Sequence, residues 1–130
     1  KKICDENNID FFAYSPLSFG ILCIDPDKEQ NKEKSFIRNA LFENYKKPTY
    51  ELRRCLKRIA NQRSVSQAQV AINWCCYQGA IPLVGMRKKS QVIDVSNVFK
   101  WNLNKSEFKV LQEFSKKCLK KMPKNPFSSI

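Results

Sequence analysis

Two short apolar runs, separated by helical patterning, limit what this chain can fold into more than any other feature of its sequence. The first run is Ile9–Tyr14 and the second is Ala80–Gly85, and each is nearly continuous in apolar residues. Such runs are typical of strands in parallel sheets, which are buried on both faces by helices. Parallel neighbours need a long crossover, and the residues between the runs can supply one. The sequence therefore predicts an α/β fold with two buried parallel strands.

Capping residues mark where the helices begin. Thr49, directly after Pro48, predicts the start of a helix whose apolar residues follow i, i+3, i+4, i+7 spacing. The pairs Ser66–Gln69 and Asn104–Glu107 have the spacing of capping boxes, so each predicts a further helix. One more helix is expected after Gly85, with three apolar residues on one side: Val92, Val95 and Phe99.

The remaining segments are assigned to chain ends and loops. Residues 1–7 resemble the last turns of a helix, and 122–130 is expected to be an extended tail. Residues 25–34 are dense in charge and are interpreted as a mobile surface loop, while 35–48 is interpreted as irregular. Since two strands do not form a sheet that is stable alone, we expect the sheet to need further strands.

Composition excludes several classes of protein. At 130 residues and 42% hydrophobic, the chain has the size and make-up of one folded globular domain. No apolar run approaches the roughly 20 residues of a membrane span, so no membrane partner is expected. Six cysteines without a C-x-x-C pair, and no histidine, exclude the usual zinc ligand sets. We interpret the cysteines as reduced thiols, which indicates a cytoplasmic location and no metal site.

The net charge of +12 raises nucleic acid as a partner. The lysines are spread over loops, helix faces and the tail, without the interleaved aromatic residues that stack on bases. A helix-turn-helix is the specific alternative, because 56–74 imitates two helices joined by a short turn. The second of these helices contains Trp74 and Tyr77, which predict that it is buried, whereas a DNA-reading helix needs an outward polar face. We therefore expect no nucleic-acid partner.

Both apolar runs end in loops that suit a phosphate group. Hydroxyls and closely approachable N–H groups follow the first run, at Ser15, Ser18 and Gly20. Arg87 and Ser90 follow the second run at the mouth of a predicted helix, where unpaired N–H groups and the helix dipole favour an anion. The carboxyl ends of neighbouring parallel strands lie side by side, so one anionic ligand could contact both loops.

Three stretches of the chain, in order, are FFAYSPLSFGIL, SVSQAQVAINWCCYQGAIPLVG and RKKSQV. Together they resemble the C-terminal part of the aldo-keto reductases, above all the plant-type members with an AQVAINW helix. This resemblance implies the C-terminal part of a (β/α)8 TIM barrel that binds NADPH. Residues 1–130 would form an incomplete domain, containing the seventh and eighth strands with their helices. The missing N-terminal half of the barrel would then be this chain's partner.

The resemblance assigns cofactor-binding residues by position. Those after the seventh strand would line the pyrophosphate: Ser15, Pro16, Leu17, Ser18 and Gly20. Those after the eighth strand would hold the adenosine 2'-phosphate and ribose, which implies NADPH rather than NADH: Gly85, Met86, Arg87 and Gln91. Arg38 matches an arginine that the family often has near the cofactor. Asp94 stands where the family has a glutamate at the adenine, and Val95 replaces the asparagine that follows it.

The family's catalytic tyrosine, lysine, aspartate and histidine come from the first half of the barrel. The chain has no histidine, and Tyr14 belongs to the AYSPL stretch, so no catalytic residue is assigned here. The resemblance implies that the parent protein reduces aldehydes or ketones by hydride transfer, and that this chain alone is inactive. The alternative is a natural half-length protein, without catalysis, that binds a nucleotide or pairs with another chain.

Overall fold

The structure, a computed structural model, describes residues 1–28 and 36–121, with no side chains described for 36–42. In this part of the chain the strands are β1 (Phe12–Tyr14) and β2 (Ile81–Leu83). The α-helices are α1 (Lys2–Glu6), α2 (Phe36–Arg63), α3 (Gln67–Tyr77), α4 (Lys89–Ser96) and α5 (Lys105–Leu119). Two short 3₁₀ helices cover Ser18–Cys23 and Asn97–Lys100.

The two strands pair in parallel, as the sequence predicts. Phe12 lies opposite Ile81, and Tyr14 lies opposite Leu83. The expected burial of both strand faces is wrong, because 54% of Phe12 and 69% of Tyr14 are exposed. The helices pack against one face, towards which Ala13 points from β1, and no described residue covers the other face.

The core lies between α2, α3 and α5. The apolar stripe predicted for α2 is confirmed, since Cys55, Leu56 and Ile59 are buried there. α3 contributes Val70 and Ala71, and Leu111 of α5 completes the same cluster. Burial of apolar side chains at these helix interfaces, at about 25 cal/mol per Å², is what stabilises the described fold.

The start of α2 differs from the prediction. The helix runs through Pro48, so Thr49 is not an N-cap and the described backbone of 36–48 is helical rather than irregular. Proline lacks an N–H and crowds the carbonyl of the preceding turn, which normally ends a helix. Here the Thr49 hydroxyl donates to the Tyr45 carbonyl at 2.6 Å, and the Arg53 guanidinium donates to the Lys46 carbonyl at 2.9 Å. These side chains satisfy carbonyl groups next to the proline.

The predicted helix starts at Ser66 and Asn104 are confirmed. Ser66 Oγ accepts from the Gln69 N–H at 3.1 Å, but the capping box predicted for this pair is wrong, because the Gln69 side chain donates to Asp94 instead of accepting from the Ser66 N–H. At the start of α5 both halves of the capping box are present. Asn104 Oδ1 accepts from the Glu107 N–H at 2.9 Å, and Glu107 Oε2 accepts from the Asn104 N–H at 2.8 Å.

The predicted apolar side of the helix after Gly85 is wrong in two positions, because Val92 is 50% exposed and Phe99 does not lie on a buried face either. α4 ends at Ser96 and tightens into a 3₁₀ turn, which changes the face that each following residue occupies. Val98 is therefore buried, whereas Phe99 is 83% exposed. Asn73 of α3 fixes this turn, because its amide donates to the Trp101 carbonyl at 2.8 Å.

The charged loop expected at 25–34 is described only at its beginning. Lys57 Nζ donates to Asp25 Oδ1 at 2.7 Å and to Asp27 Oδ2 at 2.9 Å, which ties this end of the loop to α2. Residues 29–34 and the tail 122–130 lie outside the described residues.

The helix-turn-helix alternative does not fit the packing of α3. A DNA-reading helix needs polar side chains that reach outward, yet Gln69 and Asn73 of α3 are buried. Within the described residues, no helix has the combination of length and apolar character that crossing a membrane requires.

Candidate cofactor-binding site

The parallel register brings the two predicted ligand loops to one edge of the sheet. Because Tyr14 and Leu83 are partners at the ends of β1 and β2, the chain leaves both strands at the same level. We call the residues that follow, Ser15–Gly20 and Gly85–Lys88, the first and second strand-end loops. Carboxyl-end loops of parallel strands are where α/β proteins hold ligands.

The first strand-end loop is folded tightly rather than being an open, flexible segment. The Ser18 N–H donates to the Ser15 carbonyl and the Gly20 N–H donates to the Leu17 carbonyl, each at 2.9 Å. The φ angles of this loop are positive at four residues. They are near 50° at Ser15, Ser18 and Phe19, and the φ angle of Gly20 is 93°. Left-handed backbone at residues other than glycine is strained, and such strain is concentrated at functional sites.

These turns change which groups of the first loop could hold a phosphate. Since the N–H groups of Ser18 and Gly20 already donate to carbonyls, they are not open donors. The hydroxyls of Ser15 and Ser18 have no hydrogen-bond partner in the part of the chain that the structure describes. Both hydroxyls are half-buried, so polar contact from this loop would come from them. Pro16 and Leu17 are half-buried and shape the turn.

The second strand-end loop is open and basic. Gly85 and Met86 are exposed, and a Cβ added at Gly85 would meet nothing within 4 Å. Arg87, Lys88 and Lys89 are also exposed, and none forms an ion pair with a described residue. This loop therefore combines free space with positive charge, which suits a phosphate group; guanidinium in particular matches phosphate oxygens with two parallel hydrogen bonds.

Gln91 has a structural partner in the same loop. Its Oε1 accepts from the Arg87 N–H at 2.8 Å and from the Lys88 N–H at 3.0 Å. The side chain therefore satisfies two donors at the start of α4 that would otherwise be open to an anion. It also holds the backbone of Arg87 in place. The remaining polar atom of Gln91, its Nε2, is a donor in an exposed position.

Asp94 is turned towards α3 rather than to the loops. Its Oδ2 accepts from the Ser66 hydroxyl at 2.6 Å, and its Oδ1 accepts from Gln69 Nε2 at 2.7 Å. Gln69 Oε1 in turn accepts from the Trp101 Nε1–H at 3.1 Å. The sequence marks Ser66 and Gln69 only as a capping pair, and no local signal shows that they bind Asp94.

The structure thus brings together most of the predicted site. Both strand-end loops and Gln91 lie at the carboxyl edge of the strands. The Asp94 carboxylate instead binds Gln69 of α3. Arg38 falls in the part of α2 where only the backbone is described, so the predicted contact of its side chain with the cofactor lies outside the described residues. Among the described residues, no group of three or more side chains could hold a metal ion.

Adjacent parallel strands with helices packed on one face are typical of an α/β fold such as a barrel. Comparisons with known proteins identify the family of this fold. The model of the Aldo/keto reductase family matches residues 1–116. The chain belongs to the aldo/keto reductase family, a family of oxidoreductases, and this confirms the resemblance predicted from the sequence.

Curated relatives include the chloroplastic pyridoxal reductase of Arabidopsis thaliana, which is 33% identical over 129 residues, 99% of this chain and 35% of that protein. Protein REDOX 2 of Catharanthus roseus is 29% identical over 111 residues, 85% of this chain and 28% of that protein. The chain therefore spans about a third of the length of these relatives.

Among solved structures, the glycerol dehydrogenase of Gluconobacter oxydans is similar with a TM-score of 0.68 and 25% identity. The match covers 98% of this chain and 40% of that chain. Together with the parallel strand pair, it shows that the fold is part of an α/β barrel, as the sequence predicts.

Proposed function

We propose that this chain is the C-terminal, NADPH-binding part of an aldo-keto reductase that reduces aldehydes or ketones. The observation that carries the proposal is the placement of the basic loop after β2 beside the hydroxyl-bearing loop after β1. Family membership supports oxidoreductase chemistry, in which the bound nicotinamide would supply a hydride to the carbonyl carbon.

The proposed division of roles follows from the contacts. Arg87 would contact the 2'-phosphate through its guanidinium, with Gly85 and Met86 leaving room for the adenosine. Gln91 would hold the Arg87 backbone and offer its Nε2 to the ribose. Ser15 and Ser18 would donate their hydroxyls to the pyrophosphate. Asp94 would position α4 against α3 and would not contact the adenine.

The isolated chain would bind cofactor without reducing a substrate, because the proposal places the acid/base group in another part of the barrel. The carbonyl substrate and the rest of the barrel are thus proposed partners. The cytoplasmic location stays a prediction, since the Arabidopsis thaliana relative is named as chloroplastic.

Replacing Arg87 by alanine tests the proposal. Loss of a charge-assisted bidentate contact should weaken NADPH binding by about tenfold to a hundredfold. NADH has no 2'-phosphate, so its affinity should change by less than about threefold. Both dissociation constants can be measured from the fluorescence of the reduced nicotinamide.

Lys109→Ala is the matched control, because it removes one exposed positive charge from α5 instead. It should leave both affinities unchanged. If Arg87→Ala weakens NADPH and NADH equally, the assignment of Arg87 to the 2'-phosphate is wrong.

A further inference from the structure

Gln69 of α3 is a buried side chain whose two polar atoms bind different partners. Only 5% of the residue is exposed. Its Nε2 donates to Asp94 Oδ1 at 2.7 Å, and its Oε1 accepts from the Trp101 Nε1–H at 3.1 Å. A carboxylate accepts hydrogen bonds and an indole N–H donates one, so these two partners fix the orientation of the amide. Glutamate in this place would repel Asp94, and methionine would leave both partners without a hydrogen bond.

The two partners of Gln69 lie at the two ends of one segment, 94–101. Asp94 belongs to α4, and Trp101 follows directly after the 3₁₀ turn that extends this helix. Asn73, one turn further along α3, also binds the far end of the segment, through the Trp101 carbonyl at 2.8 Å. A shift of α4 along α3 would therefore break several hydrogen bonds of buried groups, which is costly.

The second strand-end loop depends on where α4 lies. Gln91 precedes Asp94 by three residues, about one turn of α4. Its Oε1 holds the N–H groups of Arg87 and Lys88 at 2.8 and 3.0 Å. None of the residues of α4 is fully buried, so apolar packing alone does not fix the position of this helix. The hydrogen bonds from Asp94 to α3 therefore carry much of that task.

We propose that Gln69 is a positioning residue for cofactor binding. By binding Asp94 and Trp101 it holds α4 on α3, which places Gln91 where it orders the backbone at Arg87. The reference to the cofactor rests on the proposed function, whereas the ordering of the loop can be tested without any ligand. A ligand that binds only the ordered loop loses affinity in proportion to the fraction of molecules in which the loop is ordered.

Amide hydrogen exchange, followed by NMR on the labelled chain near neutral pH, measures this order. Gln69→Glu sets a second carboxylate against Asp94, so exchange of the Lys88 N–H should accelerate about tenfold or more, to nearly the rate of an unbonded amide. The Asp27 N–H, which donates to Asp25 Oδ1 at 3.0 Å, is the matched control, because a side chain also holds it. Its exchange should not change. Equal acceleration of both amides, or an unchanged rate at Lys88, would overturn the proposal.

A double substitution tests whether Gln69 acts through Asp94. Gln69→Glu with Asp94→Asn exchanges the donor and the acceptor of this pair. The new asparagine can donate to the new glutamate and still accept from the Ser66 hydroxyl, while the glutamate still accepts from Trp101. Exchange of the Lys88 N–H should return to within about twofold of its original rate. Exchange that stays as fast as in Gln69→Glu alone would overturn the proposal.

Gln69→Met keeps the shape of the side chain without its polar atoms, so it tests the proposal even if Gln69→Glu does not fold. Exchange at Lys88 should accelerate about threefold to tenfold while the rate at Asp27 stays the same. An unchanged rate at Lys88 would overturn the proposal.

Cofactor affinity provides a separate readout. In Gln69→Glu, binding of NADPH and of NADH should weaken by a common factor of about threefold to tenfold, since both ligands need the ordered loop. A role of Gln69 in overall stability alone would leave the affinity of the folded chain unchanged. Fast exchange at Lys88 with unchanged affinities would contradict the placement of the cofactor at this loop, so the failure of that assignment is distinguishable from the failure of the positioning by Gln69.

Discussion

At the scale of single residues, the partners of Asp94 determine its role. Ser66, the N-cap of α3, and Gln69 within α3 donate to its two carboxylate oxygens at 2.6 and 2.7 Å. These contacts join α4 to the start of α3 across 28 and 25 residues of chain. A carboxylate that is already bound in this way is a positioning group for the second strand-end loop, rather than a free acceptor for adenine.

Asp94→Asn should lower the free energy of unfolding by about 1–3 kcal/mol, because the amide keeps one acceptor oxygen and sets its NH₂ group against one of the two donors. Urea denaturation measures this change. The ratio of NADPH to NADH affinity should stay the same, since the variant leaves Arg87 intact. Asp10→Asn removes an exposed charge at the other end of the chain and should not alter stability. A stability loss of equal size in both variants would contradict the role given to Asp94.

At the scale of helices and strands, buried thiols lie at the interfaces of the packed helices. Cys55 belongs to α2, Cys75 to α3 and Cys118 to α5, and all three are buried. Burial, with a smaller contribution from Cys76, raises the pKa of Cys75 to about 11. Burial also raises the pKa of Cys55 and of Cys118. The packing of these helices therefore favours protonated thiols.

This packing predicts a loss of stability at alkaline pH. An unfolded thiol loses its proton near its ordinary pKa of about 8.5, while folded Cys75 keeps it up to about 11. Between these values the unfolded state binds fewer protons, so the free energy of unfolding falls as pH rises. Urea denaturation at pH 8 and pH 10.5 measures the decrease, which should be smaller in Cys75→Ala. An unchanged decrease in that variant would show that Cys75 does not contribute.

The sequence predicts an element well when the contacts that start the element join residues close together in the chain. The starts of α3 and α5 depend on side chains three residues apart, so Ser66 and Asn104 mark them correctly. The start of α2 is missed because Pro48 usually ends a helix. The Tyr45 and Lys46 carbonyl groups, just before this proline, accept hydrogen bonds from the side chains of Thr49 and Arg53. The second of these contacts joins residues seven positions apart.

Features that depend on distant residues could not be predicted. The apolar composition of β1 and β2 is correctly assigned to parallel strands, but their exposure depends on what covers the sheet. In the site, Arg87 and the loop positions follow from the motif. The engagement of Asp94 with α3 depends on folding across 28 residues and has no local signal.

At the scale of the whole molecule, the uncovered sheet face is the dominant feature. The sheet of two described strands has an exposed apolar surface, which is formed by Phe12, Tyr14, Ile81 and Leu83. Sheets of this size are not stable alone, and open strand edges pair with further strands. We propose that the remaining strands of an aldo-keto reductase barrel cover this face.

The isolated chain should therefore be inactive and should associate with those strands or with itself. Sedimentation velocity should show species larger than 15.2 kDa, and an assay with NADPH and an aromatic aldehyde should show no turnover. Tyr14→Lys with Leu83→Lys should shift the chain towards the monomer, because charges oppose edge and face association. A monomeric chain that reduces carbonyls efficiently would contradict this part of the account.

The most direct test of cofactor binding at the second strand-end loop is an NMR titration of the labelled Tyr14→Lys, Leu83→Lys chain with adenosine 2',5'-bisphosphate. This fragment carries the 2'-phosphate and adenosine without the nicotinamide. We predict that the largest amide shifts lie in the second strand-end loop, at Gly85, Arg87 and Lys88, and that Arg87→Ala removes them. Saturable binding with shifts confined to other parts of the chain, or no binding at millimolar concentration, would contradict the claim that these residues hold the cofactor.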